Sequence, residues 1–294
     1  MKPNVRMSQL TRGLLAVAIV GSGLAIYHDD AVAAISAGRH NLSATAGDGN
    51  RTTGAGGEIC VFCHTPHGAD VSVAGAPLWN KRFTSNFGGS FTPYATTTTL
   101  DGAFATDGLA GSTFLSGASL ACLSCHDGTQ AIDNLLNAPG SGGMDSTGGG
   151  SDGRGFTWTY GNNSNLNPNG YLVSNANLSR DLSNDHPIGI RYCGGGPSIG
   201  ATGAACADSD FVSPTSGLVG SSTQFWVDTS SAVGGDGSAT RTKTDMLLYV
   251  RNFASGNAGP TVECASCHDV HSSAALFLRV ANTNSAVCLA CHVK

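Results

Sequence analysis

Charge is scarce in this 294-residue chain. Lysine and arginine number 15, aspartate and glutamate 20, and together they make up 12% of the residues. The net charge is −5 and the basic residues never gather into a stripe, so the electrostatic footprint of a nucleic-acid binder is missing. Aromatics are few, at 7%, whereas glycine occurs 41 times. A chain of that composition has a weak hydrophobic core and much coil, and it needs staples such as disulfides or metals. Long apolar runs are also missing beyond residue 33, and no later segment is apolar enough to cross a bilayer.

The one apolar run, "GLLAVAIVGSGLAI" at 13–26, follows Lys2, Arg6 and Arg12 and precedes "AVA" at 31–33. A positive start, a short apolar region and a small-residue site read as a secretory signal peptide over residues 1–33. Its fourteen apolar residues are short for a membrane span, and no lipobox cysteine follows. The mature chain is therefore expected to begin near Ala34, exported and not integral to a membrane. Without the leader it keeps 12 basic and 18 acidic residues, a net charge of −6.

What the sequence does have is cysteine and histidine in a fixed pattern. Eight of its ten cysteines fall into four C-x-x-C-H units: Cys60/Cys63/His64, Cys122/Cys125/His126, Cys264/Cys267/His268 and Cys288/Cys291/His292. In such a unit both thiols can join the vinyl groups of a c-type haem, and the histidine can fill an axial position on its iron. Paired C-x-x-C units can also build zinc sites. Zinc, however, does not require a histidine directly after the second cysteine, and all four units have one. The expected cofactors are four covalently bound haem c groups. The other two cysteines, Cys193 and Cys206, bracket "GGGPSIGATGAA". In an oxidising compartment they are expected to form a structural disulfide.

Four irons offer eight axial positions. The chain has nine histidines, of which His28 lies in the leader. The remaining ones are the four in the attachment units plus His40, His67, His186 and His271, so supply matches demand and each iron is expected to carry two histidines. Met144 and Met246 are the other candidate ligands, but Met246, in "TDMLLYV", reads as core packing. His67 and His271 each stand three residues after an attachment histidine, in "CVFCHTPH" and "CASCHDVH". Residues three apart on a helical turn lie on neighbouring parts of one face. His64 already holds one side of its own haem, so His67 is better placed to bind the iron of a different one. Pairing by order gives His67 to the haem of Cys122/Cys125 and His271 to that of Cys288/Cys291. His40 and His186 then serve the haems of Cys60/Cys63 and Cys264/Cys267.

Along the chain, residues 34–132 form an N-terminal two-haem segment and 263–294 a C-terminal one. Between them, 133–262 is a Gly/Ser/Asn-rich insert carrying His186 and the cysteine pair. Within the insert, "FTWTYG" and "STQFWVD" have the aromatic and β-branched character of short strands. Pro187 favours an extended backbone at His186, which places that ligand on a loop. In "PLWNKRF", Trp79 and Phe83 are expected to pack on porphyrin faces or in a small core. The expected fold is mostly irregular coil with short helices at the C-x-x-C-H sites, a few short β-strands, and a core built around the covalent haems.

The set "HNLS", "CVFCHTPH", "CLSCHDG", "DHPIG", "CASCHDVH" and "CLACHVK" resembles the exported multihaem c-type cytochromes, in particular the tetrahaem, filament-forming OmcE type of metal-reducing bacteria. The resemblance covers both ends of the mature chain, and little of the insert beyond the His186 motif. It implies an electron conduit rather than an enzyme, located outside the cell or at its surface. It also implies polymerisation with other copies of the chain, with a histidine of one subunit able to ligate a haem of the next. His40, near a free N-terminus, is the expected donor. Redox-partner cytochromes and extracellular acceptors such as metal oxides are the other implied partners. A monomeric periplasmic electron shuttle would share every motif. A multihaem reductase of nitrogen or sulfur oxyanions would need an open axial position, and no C-x-x-C-K variant is present.

Overall fold

The structure is a computed structural model that describes residues 35–43, 45, 51–52, 57–72, 74–76, 78–83, 90–95, 100–108, 113–137, 158–159, 165–167, 170–229 and 240–293. The expected signal peptide, Met144 and the glycine-rich tract 140–155 lie outside those residues. Coil and turns predominate among the described residues, and the regular elements are short. Strands β1 (Arg51–Thr52) and β2 (Trp158–Thr159) form a small antiparallel pair. The larger element is a five-stranded antiparallel sheet built from the insert. Its strands are β3 (Ile190–Arg191), β4 (Thr215–Val219), β5 (Ser222–Val227), β6 (Met246–Arg251) and β7 (Gly259–Val262), in the order β3-β7-β6-β5-β4.

The sheet follows from alternation and turn chemistry. β4 and β5 are joined by a two-residue turn whose first position, Gly220, has φ +62°, a conformation that primed hairpin turns require and glycine adopts freely. Phe225 and Val227 on β5 face Leu248 and Met246 on β6 across the ladder. All four are buried in one cluster with Tyr192 and the disulfide-bonded Cys193. Met246 is thus a core residue, packed where a period-2 apolar face must be covered. Cys193 and Cys206 are bonded, with Cα atoms 5.4 Å apart, and tie the segment after β3 to the loop that leads towards β4.

The helices sit at the attachment units. α1 (Gly117–His126) begins at Ser116, whose hydroxyl accepts from the Ala118 N–H, and runs through Cys122, Cys125 and His126. α2 (Cys264–Cys267) follows β7 after a single residue, and α3 (Ala286–Leu289) carries Cys288, the first cysteine of the last unit. The first unit is a short 3-10 turn, Cys60–Phe62. Among the described residues there are three apolar clusters rather than one core. Phe62, Ile132 and Leu135 form one with the side chains of Cys63 and Cys125. Phe83, Phe114, Leu120 and Leu123 form the second, with Trp79 against it. The third joins the sheet to Cys267, Val287 and Cys291.

A buried polar clasp joins α1 to α2. Ser119 on α1 donates its hydroxyl to the Glu263 carboxylate and accepts from the Cys264 N–H. Arg251 on β6 donates to Glu263 at 2.6 Å and to Asp107 at 2.6 Å, and also to the carbonyls of Thr113 and Phe114. Burial pushes the Glu263 carboxyl up, and its bonds to Ser119 and Arg251 pull against that. Gly189, at φ +67°, is where the "DHPIG" loop passes the Phe114 carbonyl so closely that any Cβ would collide with it. Glu263→Ala should destabilise the haem-loaded protein by about 2–3 kcal/mol in chemical denaturation, because it strips the buried Arg251 of one of its two carboxylate partners and leaves the Ser119 hydroxyl without its acceptor. A loss below about 1 kcal/mol would mean that the clasp does not bear on stability.

Candidate haem sites

The histidines fall into facing pairs. His64 and His271 stack with ring centroids 6.3 Å apart and planes 16° from parallel. His40 faces His126 at 6.1 Å, and His186 faces His292 at 6.5 Å. Two imidazoles that share a metal at about 2 Å from each nitrogen have centroids roughly 6 Å apart. Each pair therefore has the separation of two axial ligands on one iron, and each includes the histidine of an attachment unit with its two cysteines. Among the described residues no three metal-capable side chains converge on one point, whereas a zinc site would call for four. The donor set fits haem c.

This pairing differs from the one expected by order. His271 faces the histidine of the first unit, not of the fourth, and His40 faces the second unit, not the first. His186 faces the fourth unit, not the third. His40 therefore stands opposite an imidazole of its own chain. Burial pushes His40 down to about 4, with His126, His271 and His268 adding to the effect. Burial likewise lowers His126. Both are neutral at pH 7, the state in which a ring nitrogen can donate to a metal.

The supporting contacts fix tautomers and ring planes. The Nδ1–H of His126 donates to the Ala176 carbonyl at 2.7 Å, that of His186 to Pro187 at 3.0 Å, and that of His268 to Leu276 at 2.9 Å. In each case Nε2 is left for iron, because a metal-ligating histidine generally donates its other ring N–H to such a partner. Phe277 stacks on His40 at 4.4 Å, Phe211 lies against His292 at 4.5 Å, and Trp79 meets His64 edge-on at 5.7 Å. Phe83 is buried in the second apolar cluster beside Trp79. None of the carbonyls, nor Phe211 or Phe277, could be found by motif, because each acts only through tertiary contact. His186 does sit on a loop, exposed, four residues before β3.

Two histidines remain. Among the described residues neither His67 nor His268 faces another imidazole, and both are exposed. His67 is held on a turn where its carbonyl accepts from Thr65 and Asn137. The cysteines order the sites. Cys63 and Cys125 share one apolar cluster, the Cys122 and Cys264 side chains meet, and Cys267 and Cys291 share another cluster. The four units thus adjoin in chain order, first to second, second to third, third to fourth.

The family described as a doubled CXXCH motif matches residues 258–294, the segment with the last two attachment units. No curated protein matches the chain. Over those residues the match points to c-type cytochrome-like multihaem proteins, in which CXXCH units attach haem c. Among the described residues no helix is long and apolar enough to cross a membrane.

His271→Met should change the axial signature of the haem at Cys60/Cys63. Absorption and EPR spectra of the variant should show one histidine–methionine haem. That signature should vanish when Cys60 and Cys63 are also replaced by alanine. Its persistence in that background, with loss instead when Cys288 and Cys291 are replaced, would restore pairing by order.

Proposed function

We propose that this protein is a tetrahaem electron conduit, and that it is the subunit of an extracellular filament in which every iron carries two histidines. What supports the reading is the count of facing imidazoles among the described residues: three complete pairs, and two histidines, His67 and His268, that face no other imidazole. Within one subunit the haem of Cys264/Cys267 has a single axial histidine, while His67 is an exposed imidazole with no iron of its own. His67 of one copy ligating the iron held by His268 of the next makes up the eighth position.

The surroundings suit such a contact. Val71, 88% exposed, and Leu78 lie near His67 in sequence, and Val270 and Leu276 lie near His268. Apolar side chains left in water beside a ligand position are what a subunit interface would cover. Leu78 and Leu276 also carry positive φ, at 52° and 56°. Branched residues hold that conformation only where the surroundings enforce it.

When bound, the haems supply one-electron redox chemistry; the chain supplies what controls it. Paired imidazoles would hold each iron and leave no position for a substrate, so the protein is a conduit and not an enzyme. His126, His186 and His268 are held in one tautomer by their carbonyl partners. The clasp of Ser119, Glu263 and Arg251 fixes the second attachment unit against the third. Neighbouring attachment units adjoin throughout, so electrons pass from one end of the subunit to the other, and through the His67–His268 contact into the next. Electron donors are redox-partner cytochromes, and acceptors such as metal oxides lie outside the cell.

Negative-stain electron microscopy of the secreted, haem-staining fraction tests this. The wild-type chain should give thin uniform filaments. His67→Ala should give dispersed subunits that keep four haems, one of which binds carbon monoxide when reduced. Filaments unchanged by His67→Ala would sink the cross-subunit ligation, and a wild-type protein that is only monodisperse would favour a periplasmic shuttle.

A further inference from the structure

Lys81 is fully buried, at 0% exposure, and no step of the proposed function uses it. Its three N–H groups all donate to backbone carbonyls: Ala131 at 3.0 Å, Ile132 at 2.9 Å and Asn134 at 3.1 Å. Three acceptors around one nitrogen fit the ammonium form, which has three donors and no acceptor. Placing such a strongly hydrated charge out of water is expensive and calls for a reason.

Its position offers one. The neighbouring Asn80 is bonded to the first attachment unit, with its N–H donating to the Cys63 carbonyl and its side chain to the Val61 carbonyl. On the other side, Ile132 both accepts from Lys81 and packs its side chain in the apolar cluster that contains Cys63 and Cys125. The ammonium is thus sealed behind the cluster on which the first and second haems are anchored. We propose that Lys81 is a fixed buried cation that raises the reduction potential of the haems attached at Cys63 and Cys125. The inference rests on haem attachment at those two units, and not on the filament.

The physics is Coulombic. Reducing an iron adds an electron, and a positive charge nearby stabilises the reduced form, more strongly where water is excluded. The carbonyl dipoles around Lys81 reduce this field but do not remove a net unit charge. Lys81 is the chain neighbour of Asn80, whose N–H donates to the Cys63 carbonyl, and Ile132, which accepts from Lys81, packs in the cluster that holds Cys63, so the charge adjoins the first attachment site. Asp133, also fully buried, lies in the same loop as the carbonyls that hold Lys81, and its charge acts in the opposite sense.

Redox titration of the haem-loaded protein, followed by optical absorption, tests the assignment. Lys81→Met should lower at least one of the four midpoint potentials so that its oxidised-to-reduced ratio at a fixed potential rises about tenfold, equivalent to about 59 mV for a one-electron couple. Lys81→Arg, which keeps the charge, should stay close to the wild type, and Asp133→Asn should raise a potential. Opposite signs from the two charge removals are the signature of a field, since loosening of the loop alone would not reverse direction. Unchanged potentials in a fully loaded Lys81→Met protein would overturn the proposal, as would a fall in Asp133→Asn. If Lys81→Met does not fold, the Asp133→Asn and Lys81→Arg titrations decide it by the same signs.

Discussion

Three pairs of imidazoles, each at the separation that two ligands of one metal ion would have, tie together distant parts of this chain. His64 meets His271, His40 meets His126, and His186 meets His292. Each pair joins segments far apart in sequence, and a contact of that kind must offset the entropy of closing a long loop. The apolar clusters are small and separate, so they alone would offset little of it. The sheet follows the same constraint. β3 begins just after His186, and β7 ends just before Cys264, so the most regular part of the fold holds one distal ligand and one attachment unit in place.

Geometry also explains why the sites adjoin in chain order. α1 and α2 are short, yet they meet through a clasp in which Ser119 bonds both Glu263 and the Cys264 backbone. Buried charges of this kind are a poor source of net stability, but they punish misplacement severely, because any shift strands an unpaired charge. For electron transfer, fixed spacing matters more than stability. A clasp that tolerates only one arrangement of the second and third units meets that requirement better than apolar packing, which can slide.

The four C-x-x-C-H units and the histidines beside them were legible in the sequence as a pattern, because a local spacing survives any fold. The strand in "STQFWVD", the loop position of His186 and the core role of Met246 were legible too, since period-2 apolar alternation and a proline act locally. The pairing was not. His67 and His271 occupy the same local pattern, three residues after an attachment histidine, yet His271 stacks on His64 while His67 faces no imidazole among the described residues. Which iron a ligand meets depends on how β-pairing and the clasp fold the ends together, and no spacing encodes that. The size of the five-stranded sheet was likewise hidden, because glycine-rich connections mask strands whose alternation is short.

The two leftover histidines differ in kind, and that difference has a consequence for assembly. In the proposed assembly His268, in an attachment unit, receives a ligand, while His67 supplies one. A surface that gives at one place and receives at another is heterologous, and heterologous contacts either close into a ring or repeat without end. In the proposed assembly each contact also completes an iron's coordination, so a subunit at the receiving end always presents an incomplete site to the next arrival. Growth and electrical continuity then share one bond. An end that lacks a neighbour also lacks the ligand that would close its last haem.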